Sequence, residues 1–472
     1  MKPETKITQL SARKIAAKAL NKFDSVKKRG VDGDDVSIYA ADVLKNLLPQ
    51  TEQKPRATDL VYGTIRNRTA IDLVLGSVAD MPAGRIAPKL VNIVRLGVYE
   101  LVYRPETPEY SIINDAVENA KSISAVKQAG FVNAVLRKIA SRINNRDELI
   151  SPENIRSILP GNNGTGCMFD RKLLADPKAN PVLYYSCAYS FPSWLIKELL
   201  EEFGIEKLKQ ICVASNRRSS VYLRPNVIKI NSYHLAEILT AGKVNFQITP
   251  DEKMLKLIRP GSIAKIPGFD KGLFTVQNFA AARAVNAMEP QAGWKILDLC
   301  SAPGTKTTQI AELTEDKTKI FATDIDAARL EKVKQNSQRL GLSGIEVFDY
   351  SQLSRIAEQQ GPFDAVLIDV PCSNTGVLAK RPEVRLRIKQ KGIENLMLKQ
   401  AELLKTAMDL VKQGGIICYS TCSIMKSENQ QQVQNFIAEN SNLQLVTEEL
   451  ILPSAEDFDH DGGYYAVIEK LS

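Results

Sequence analysis

Ile296-Leu-Asp-Leu-Cys-Ser-Ala-Pro-Gly-Thr-Lys306 is the stretch on which the reading of this chain turns. A short apolar run breaks at small residues and a proline, then opens onto a stretch with helical spacing, Thr307–Leu313. A buried strand feeding a helix through a tight turn is the unit from which parallel sheets are built. The turn lacks the G-x-G-x-x-G spacing that holds a dinucleotide pyrophosphate. It keeps close backbone approach at Gly304 and a helix N-terminus whose amides favour a carboxylate.

Outward from this turn, apolar runs and helical patterns alternate. Short strands are expected at Ile320–Thr323, Val366–Ile368 and Ile416–Tyr419, with helices over Ala327–Leu340 and Glu394–Val411. This alternation predicts an α/β, doubly wound, mostly parallel sheet. Asp461-Gly-Gly-Tyr-Tyr-Ala-Val-Ile-Glu469 adds a turn and an antiparallel C-terminal edge strand. Asp324 ends the second strand 20 residues after Gly304, where a carboxylate accepts hydrogen bonds from ribose hydroxyls. A lone Asp there is more often a cap, but its register with the turn makes it a ligand candidate. Asp349 follows Ile345-Glu-Val-Phe348 and is placed for an adenine amine. An adenosine joined to a carboxylate describes S-adenosylmethionine.

Two of the expected strands run into cysteines. Val366-Leu-Ile-Asp-Val-Pro-Cys-Ser-Asn-Thr-Gly376 presents Cys372, and Gly415-Ile-Ile-Cys-Tyr-Ser-Thr-Cys-Ser423 presents Cys422. Both fall at carboxyl ends of strands, where an α/β sheet presents its chemistry, and a free thiol there is a candidate nucleophile. Cys187, Cys212 and Cys418 read as small buried hydrophobes, Cys167 as incidental to its loop, and Cys300 as lining the turn. Seven cysteines with no Cys-x-x-Cys pair, and only two histidines, His234 and His460, argue against a disulfide framework or a metal site.

At 472 residues the chain needs several domains. Thr8–Arg142 shows apolar residues at helical spacing, including Ile15, Ala19, Phe23, Leu60, Ile65, Ile71, Val74, Leu90, Val94 and Val98. Breaks are expected at Gly30–Asp35, Pro49–Lys54 and Met81–Pro88. The expected division is an all-α bundle over 1–145, a polar linker or insertion over 146–183, a small α+β subdomain over 184–275 and a catalytic domain over 276–472. No apolar run approaches the ~20 residues that span a bilayer, and the first residues lack the apolar core of a secretion signal. A cytoplasmic monomer is expected.

The net charge is +8, and the first 150 residues hold 24 basic against 17 acidic. Lys380, Arg381, Arg385, Arg387, Lys389 and Lys391 form a second basic cluster after the Cys372 loop, suited to a phosphate backbone.

Leu96-Gly-Val-Tyr-Glu-Leu101, Ile113-Asn-Asp-Ala-Val-Glu-Asn-Ala-Lys121 and Phe131-Val-Asn-Ala-Val-Leu-Arg-Lys138 resemble the NusB family of RNA-binding helical domains. Asp298-Leu-Cys-Ser-Ala-Pro-Gly-Thr-Lys306, Asp369-Val-Pro-Cys-Ser-Asn-Thr-Gly376 and Ser420-Thr-Cys-Ser423 resemble the signature of S-adenosylmethionine-dependent RNA cytosine-5 methyltransferases. The resemblance covers almost the full length. It implies a Rossmann-like methyltransferase domain acting on 16S ribosomal RNA, with Cys422 as nucleophile, Cys372 assisting product release and Asp369 on the cytosine edge. It also implies that Cys300, Ser301, Ala302, Pro303, Gly304, Thr305 and Lys306 line the cofactor, with Asp324 on the ribose, Asp349 on the adenine side and Asp369 closing the pocket. Leu223-Arg-Pro-Asn226 resembles the family's Arg-x-Asn element in an RNA-facing subdomain, and Arg381-Pro382 its Arg-Pro element. Thr305, Asn278 and Phe191 depart from the family's usual glycine, acid and histidine. The alternatives are the same chemistry on another ribosomal site or a tRNA, and a non-catalytic RNA-binding assembly factor.

Overall fold

The computed structural model describes residues 10–27, 39–123, 126–161, 164–258 and 261–471, so the break expected at Gly30–Asp35 lies outside the described residues. Two compact units result: residues 1–216 with Arg381–Arg387, and residues 217–380 with 388–472.

Among the described residues of the first unit, seven α-helices precede any strand: α1 (Ala12–Lys27), α2 (Ala40–Lys45), α3 (Lys54–Arg66), α4 (Arg68–Ser77), α5 (Pro88–Tyr103), α6 (Glu109–Ile123) and α7 (Val126–Ala140). The periodic residues face inward as their spacing predicts: Ile15, Leu60, Ile65, Ile71, Val74 and Val94 are all buried. Truncating one such Leu or Ile to Ala costs about 2–5 kcal/mol. Prolines at the first turns of α3 and α5 start those helices, where the missing N–H has no intrahelical partner anyway.

The stretch expected as a linker carries structure. Strands β1 (Ile143–Leu149), β2 (Ile158–Pro160) and β3 (Thr165–Phe169) form an antiparallel sheet in the order β1-β3-β2. Its polar composition hid it, because β1 is a mostly exposed edge; Ile158, Leu159, Cys167 and Phe169 supply its buried side. Helices α8 (Pro181–Tyr189) and α9 (Ser193–Asn216, interrupted at Gly204) follow.

Arg381–Arg387 belongs to this unit, and half of the expected basic cluster is spent within it. Arg385 is 4% exposed and donates to the carbonyls of Arg66, Tyr189 and Ser215 and to Asn216 Oδ1, with its guanidinium 4.4 Å over the Phe191 ring. Arg381 and Arg387 lie over the Tyr39 ring at 4.1 and 4.9 Å. Lys380, Lys389 and Lys391 stay exposed.

The second unit begins with a four-stranded antiparallel sheet, β4 (Val221–Pro225), β5 (Phe246–Ile248), β6 (Leu255–Leu257) and β7 (Phe274–Val276), ordered β5-β6-β4-β7, with α10 (Ser232–Ala241) on its core of Leu223, Leu235, Leu239, Leu255 and Phe274. After α11 (Phe279–Met288) comes the main sheet: β8 (Lys295–Asp298), β9 (Lys319–Ala322), β10 (Ile345–Val347), β11 (Phe363–Asp369), β12 (Val411–Thr421), β13 (Leu443–Ile451) and β14 (Gly463–Lys470). Helices α12 (Thr305–Leu313), α13 (Ala327–Leu340), α14 (Leu353–Gln360), α15 (Gln390–Leu410) and α16 (Gln430–Glu439) alternate with these strands.

The order is β10-β9-β8-β11-β12-β14-β13. The first five strands are parallel, and β14 runs antiparallel to both of its neighbours, β12 and β13. The closing strand β14 is antiparallel as expected, but it is not the edge, since β13 pairs along its outer side. Successive residues of the central strands bury on opposite faces: Leu297, Val366, Ile368, Ile417 and Tyr419 on one, Ile296, Ala365, Leu367 and Cys418 on the other. Continuous apolar runs are what a parallel sheet covered on both faces requires. Because β9 and β10 lie to one side of β8 and β11 to the other, the order reverses between β8 and β11. A crevice opens at such a point outside the carboxyl ends of the strands.

Candidate active site

At this reversal the loop after β8 makes its turn. Gly304 has φ 96°, and a Cβ there would stand 3.1 Å from Val333, so glycine is required. Asp298, at the end of β8, is 1% exposed; its Oδ2 accepts from Thr307 Oγ1 at 2.7 Å. Burial pushes its carboxyl up to about 7 against that hydrogen bond. Asp298 Oδ1, Ser301 Oγ and Thr323 Oγ1 are buried with no hydrogen-bond partner in the protein. Three orphaned polar atoms at one strand edge fit a polar cofactor that brings its own donors. Asp298 was not singled out among the expected site residues, although an acid closing the first strand was the available signal.

The other cofactor candidates are placed as follows. Asp324 is buried, its two oxygens accepting the amides of Ala302 at 3.1 Å and Asp326 at 2.9 Å. Asp349 is exposed and caps a short turn, with one oxygen, Oδ1, accepting from Ser351 N at 2.9 Å and Ser351 Oγ at 2.5 Å. These bonds hold its carboxyl below the usual range. Cys300 is half-buried, and burial pushes its thiol up. Thr305 opens α12, and its carbonyl accepts from Arg224. Lys306 is buried, with Nζ 2.7 Å from Asp369 Oδ2. Burial works against its ammonium, but Asp369, then Cys422 and Asp298, outweigh it and raise its pKa.

The two cysteines are brought together. In the β11–β12 register Asp369 stands opposite Ser420, so Cys372 and Cys422 leave neighbouring strand ends, with their Sγ atoms 3.1 Å apart. Cys422 N lies 3.3 Å from Cys372 Sγ, and Cys422 Sγ lies 3.3 Å from Asn374 Oδ1. Gly376 N donates to Cys422 O at 2.9 Å, and a Cβ at Gly376 would meet that oxygen at 2.8 Å. Only a glycine lets the two loops approach this closely. The hydrogen bond to Cys422 and burial hold the Cys372 thiol well above its ordinary pKa, and the charge of Glu428 acts in the same sense. Cys372 therefore keeps its proton. Cys422 is the more open of the two.

Glu428 is the second residue absent from the sequence expectations. Fully buried, it accepts from Ser373 N at 2.8 Å, Ser423 Oγ at 2.6 Å, Gln400 Nε2 at 3.1 Å and the Ser373 hydroxyl. It thereby ties the residue after Cys372 to the residue after Cys422. A Glu ahead of a helix in Lys426-Ser-Glu-Asn429 carried no visible signal beyond a cap.

The Arg-x-Asn element turns inward. Arg224 Nη2 lies 3.0 Å from Glu312 Oε2, and the fully buried Asn226 donates to the carbonyls of Gly272 and Leu340. The departures are accommodated: Asn278 caps α11 and donates to Asp461, and Phe191 packs under Arg385.

A seven-stranded sheet with this order, its first turn at the reversal point and one reversed strand, β14, beyond the fifth, defines a Rossmann-like methyltransferase. The chain belongs to the family of 16S rRNA methyltransferases RsmB/F, whose description matches residues 285–464. Residues 10–141 match the NusB family, and 191–264 the RsmF/B-like ferredoxin-like domain. The chain is 31% identical to the probable ribosomal RNA small subunit methyltransferase B of Synechocystis, over 82% of this chain and 81% of that one. It is 29% identical to ribosomal RNA small subunit methyltransferase B of Yersinia pseudotuberculosis, over 97% of this chain and 98% of that one. A crystal structure described as a methyltransferase homolog protein from Pyrococcus horikoshii superposes with TM-score 0.53 at 26% identity, covering 62% of this chain and 99% of that one. No described helix is long and apolar enough to cross a membrane, and no metal-holding cluster occurs among the described residues.

Proposed function

We propose that this chain transfers a methyl group from S-adenosylmethionine to carbon-5 of a cytosine in 16S ribosomal RNA, through a covalent bond between Cys422 and carbon-6. The observation that carries this reading is the pair of thiols 3.1 Å apart at neighbouring strand ends, one held protonated and one open, beside the Lys306–Asp369 pair.

Carbon-5 of cytosine is too weak a nucleophile to attack a sulfonium methyl directly. The Cys422 thiolate adds to carbon-6, the carbon-5–carbon-6 double bond opens, and its electron pair moves toward carbon-5. Asp369, paired with Lys306, hydrogen-bonds the cytosine edge near nitrogen-3 and steadies the charge that develops there. The bound cofactor supplies an electrophilic methyl group, which carbon-5 takes. Loss of the carbon-5 proton then re-forms the double bond and expels Cys422. Cys372, a thiol at hydrogen-bond distance, supports the departing sulfur.

In this reading the turn from Cys300 to Lys306 lines the cofactor, with Asp298 receiving its ammonium group, Asp324 its ribose and Asp349 its adenine side. The exposed Lys380, Lys389 and Lys391 meet phosphates of an RNA whose target base is unstacked. The helical front of the chain acts as an RNA-docking module. The enzyme works as a monomer in the cytoplasm.

Bisulfite sequencing of small-subunit RNA from cells lacking the protein tests the target. Loss of one methylated cytosine is expected. An unchanged pattern would contradict the ribosomal assignment.

A further inference from the structure

We propose that Cys372 and Cys422 are also a site of reversible oxidation, closed to a disulfide by hydrogen peroxide and reopened by a dithiol. The two Sγ atoms are 3.1 Å apart, and a disulfide needs about 2.05 Å, so a shift of about 1 Å joins them. The strand register and the Gly376–Cys422 hydrogen bond impose this proximity.

The surroundings assign different roles to the two sulfurs. Cys422 is half-buried and reachable by a small oxidant, whereas Cys372 lies behind it, 9% exposed, with its sulfur accepting the Cys422 amide. The buried Lys306 ammonium interacts electrostatically with Cys422. The other five cysteines lack this combination: Cys167, Cys212 and Cys418 are buried, Cys187 and Cys300 are half-buried, and burial raises the thiols of all five.

The steps balance. The Cys422 thiolate attacks one peroxide oxygen, the oxygen–oxygen bond breaks, and hydroxide leaves, giving a sulfenic acid at Cys422. Cys372 sulfur then attacks Cys422 sulfur, the sulfur–oxygen bond breaks, and water departs with the Cys372 proton. Two thiols are oxidised to one disulfide while one peroxide is reduced to two waters. A resolving thiol within reach also keeps Cys422 from reaching the irreversible sulfinic acid. The bond itself depends only on geometry. Its effect on methyl transfer rests on the proposed role of Cys422 as nucleophile.

Full-length protein treated with a small excess of hydrogen peroxide, then denatured in an alkylating agent, should lose two of its seven titratable thiols. Non-reduced digests should contain one peptide pair linking Cys372 to Cys422, and dithiothreitol should restore both the thiols and methyl transfer. Cys372→Ala should abolish the link and leave Cys422 oxidised irreversibly. Seven unchanged thiols, an unlinked sulfinic acid at Cys422 in the native protein, or a link between other cysteines would overturn the proposal. A Cys372–Cys422 link with undiminished methyl transfer would sustain the site and contradict Cys422 as nucleophile.

Discussion

The Glu428 carboxylate accepts the Ser423 hydroxyl at 2.6 Å, and through its other oxygen it also holds the amide of Ser373. One fully buried side chain thus sets the spacing of two loops, each carrying a cysteine on the adjacent residue. A carboxylate only accepts, which suits four converging donors; a carboxamide would turn an N–H toward them. Glu428→Gln should therefore lower kcat about 10²-fold, the scale of a misplacement of about 1 Å at reacting atoms. KM for S-adenosylmethionine should stay near the native value. A parallel loss in cofactor binding would mean that Glu428 supports the whole sheet edge instead of the thiol pair.

Asp298 makes the ligand-free protein sensitive to pH. Its folded pKa of about 7 lies above the ordinary carboxylate value, so its contribution to stability is present at low pH and lost as pH rises through about 7. At about 1.4 kcal/mol per unit, ionising it in the empty site costs on the order of 4 kcal/mol. The loss accrues between the ordinary carboxylate value and about 7, so thermal melts from about pH 4 to about pH 8 should show most of it, and Asp298→Asn should flatten it. Because an ammonium group favours the ionised carboxylate, S-adenosylmethionine should bind more tightly as pH rises over the same interval. A pH-independent affinity would remove Asp298 from the cofactor site.

Arg224 gives a contrasting expectation. Its guanidinium donates to Glu312, Thr305 O and Gln277 while 7% exposed, so its removal strands a buried carboxylate. Arg224→Ala should cost about 3–5 kcal/mol in urea unfolding without RNA present. A stable variant that only loses RNA affinity would return Arg224 to the RNA-facing role implied by resemblance.

The strands of the main sheet were legible because a covered parallel sheet needs continuous apolar runs, and Ile296–Leu299, Val366–Ile368 and Ile416–Tyr419 supply them. The helical front was legible for the same reason at another period. The sheet at β1–β3 was not, since β1 reads Ile-Asn-Asn-Arg-Asp-Glu-Leu and buries little. β13, outside β14, was missed because Leu443-Gln-Leu-Val-Thr-Glu-Glu-Leu-Ile451 mixes charges along an edge. At the site, both cysteines could be placed at strand ends from pattern alone. Glu428 and the inward turn of Arg224 could not, because a charged residue gives no sign of burial until its partners are known.

The division of labour between the thiols is tested most directly by trapping the intermediate. Native protein, Cys372→Ala and Cys422→Ala are incubated with S-adenosylmethionine and unmodified 16S RNA, then resolved on denaturing gels. Cys372→Ala should accumulate a covalent protein–RNA adduct, because the bond forms but is not released, and Cys422→Ala should form none. An adduct in Cys422→Ala and none in Cys372→Ala would contradict the account.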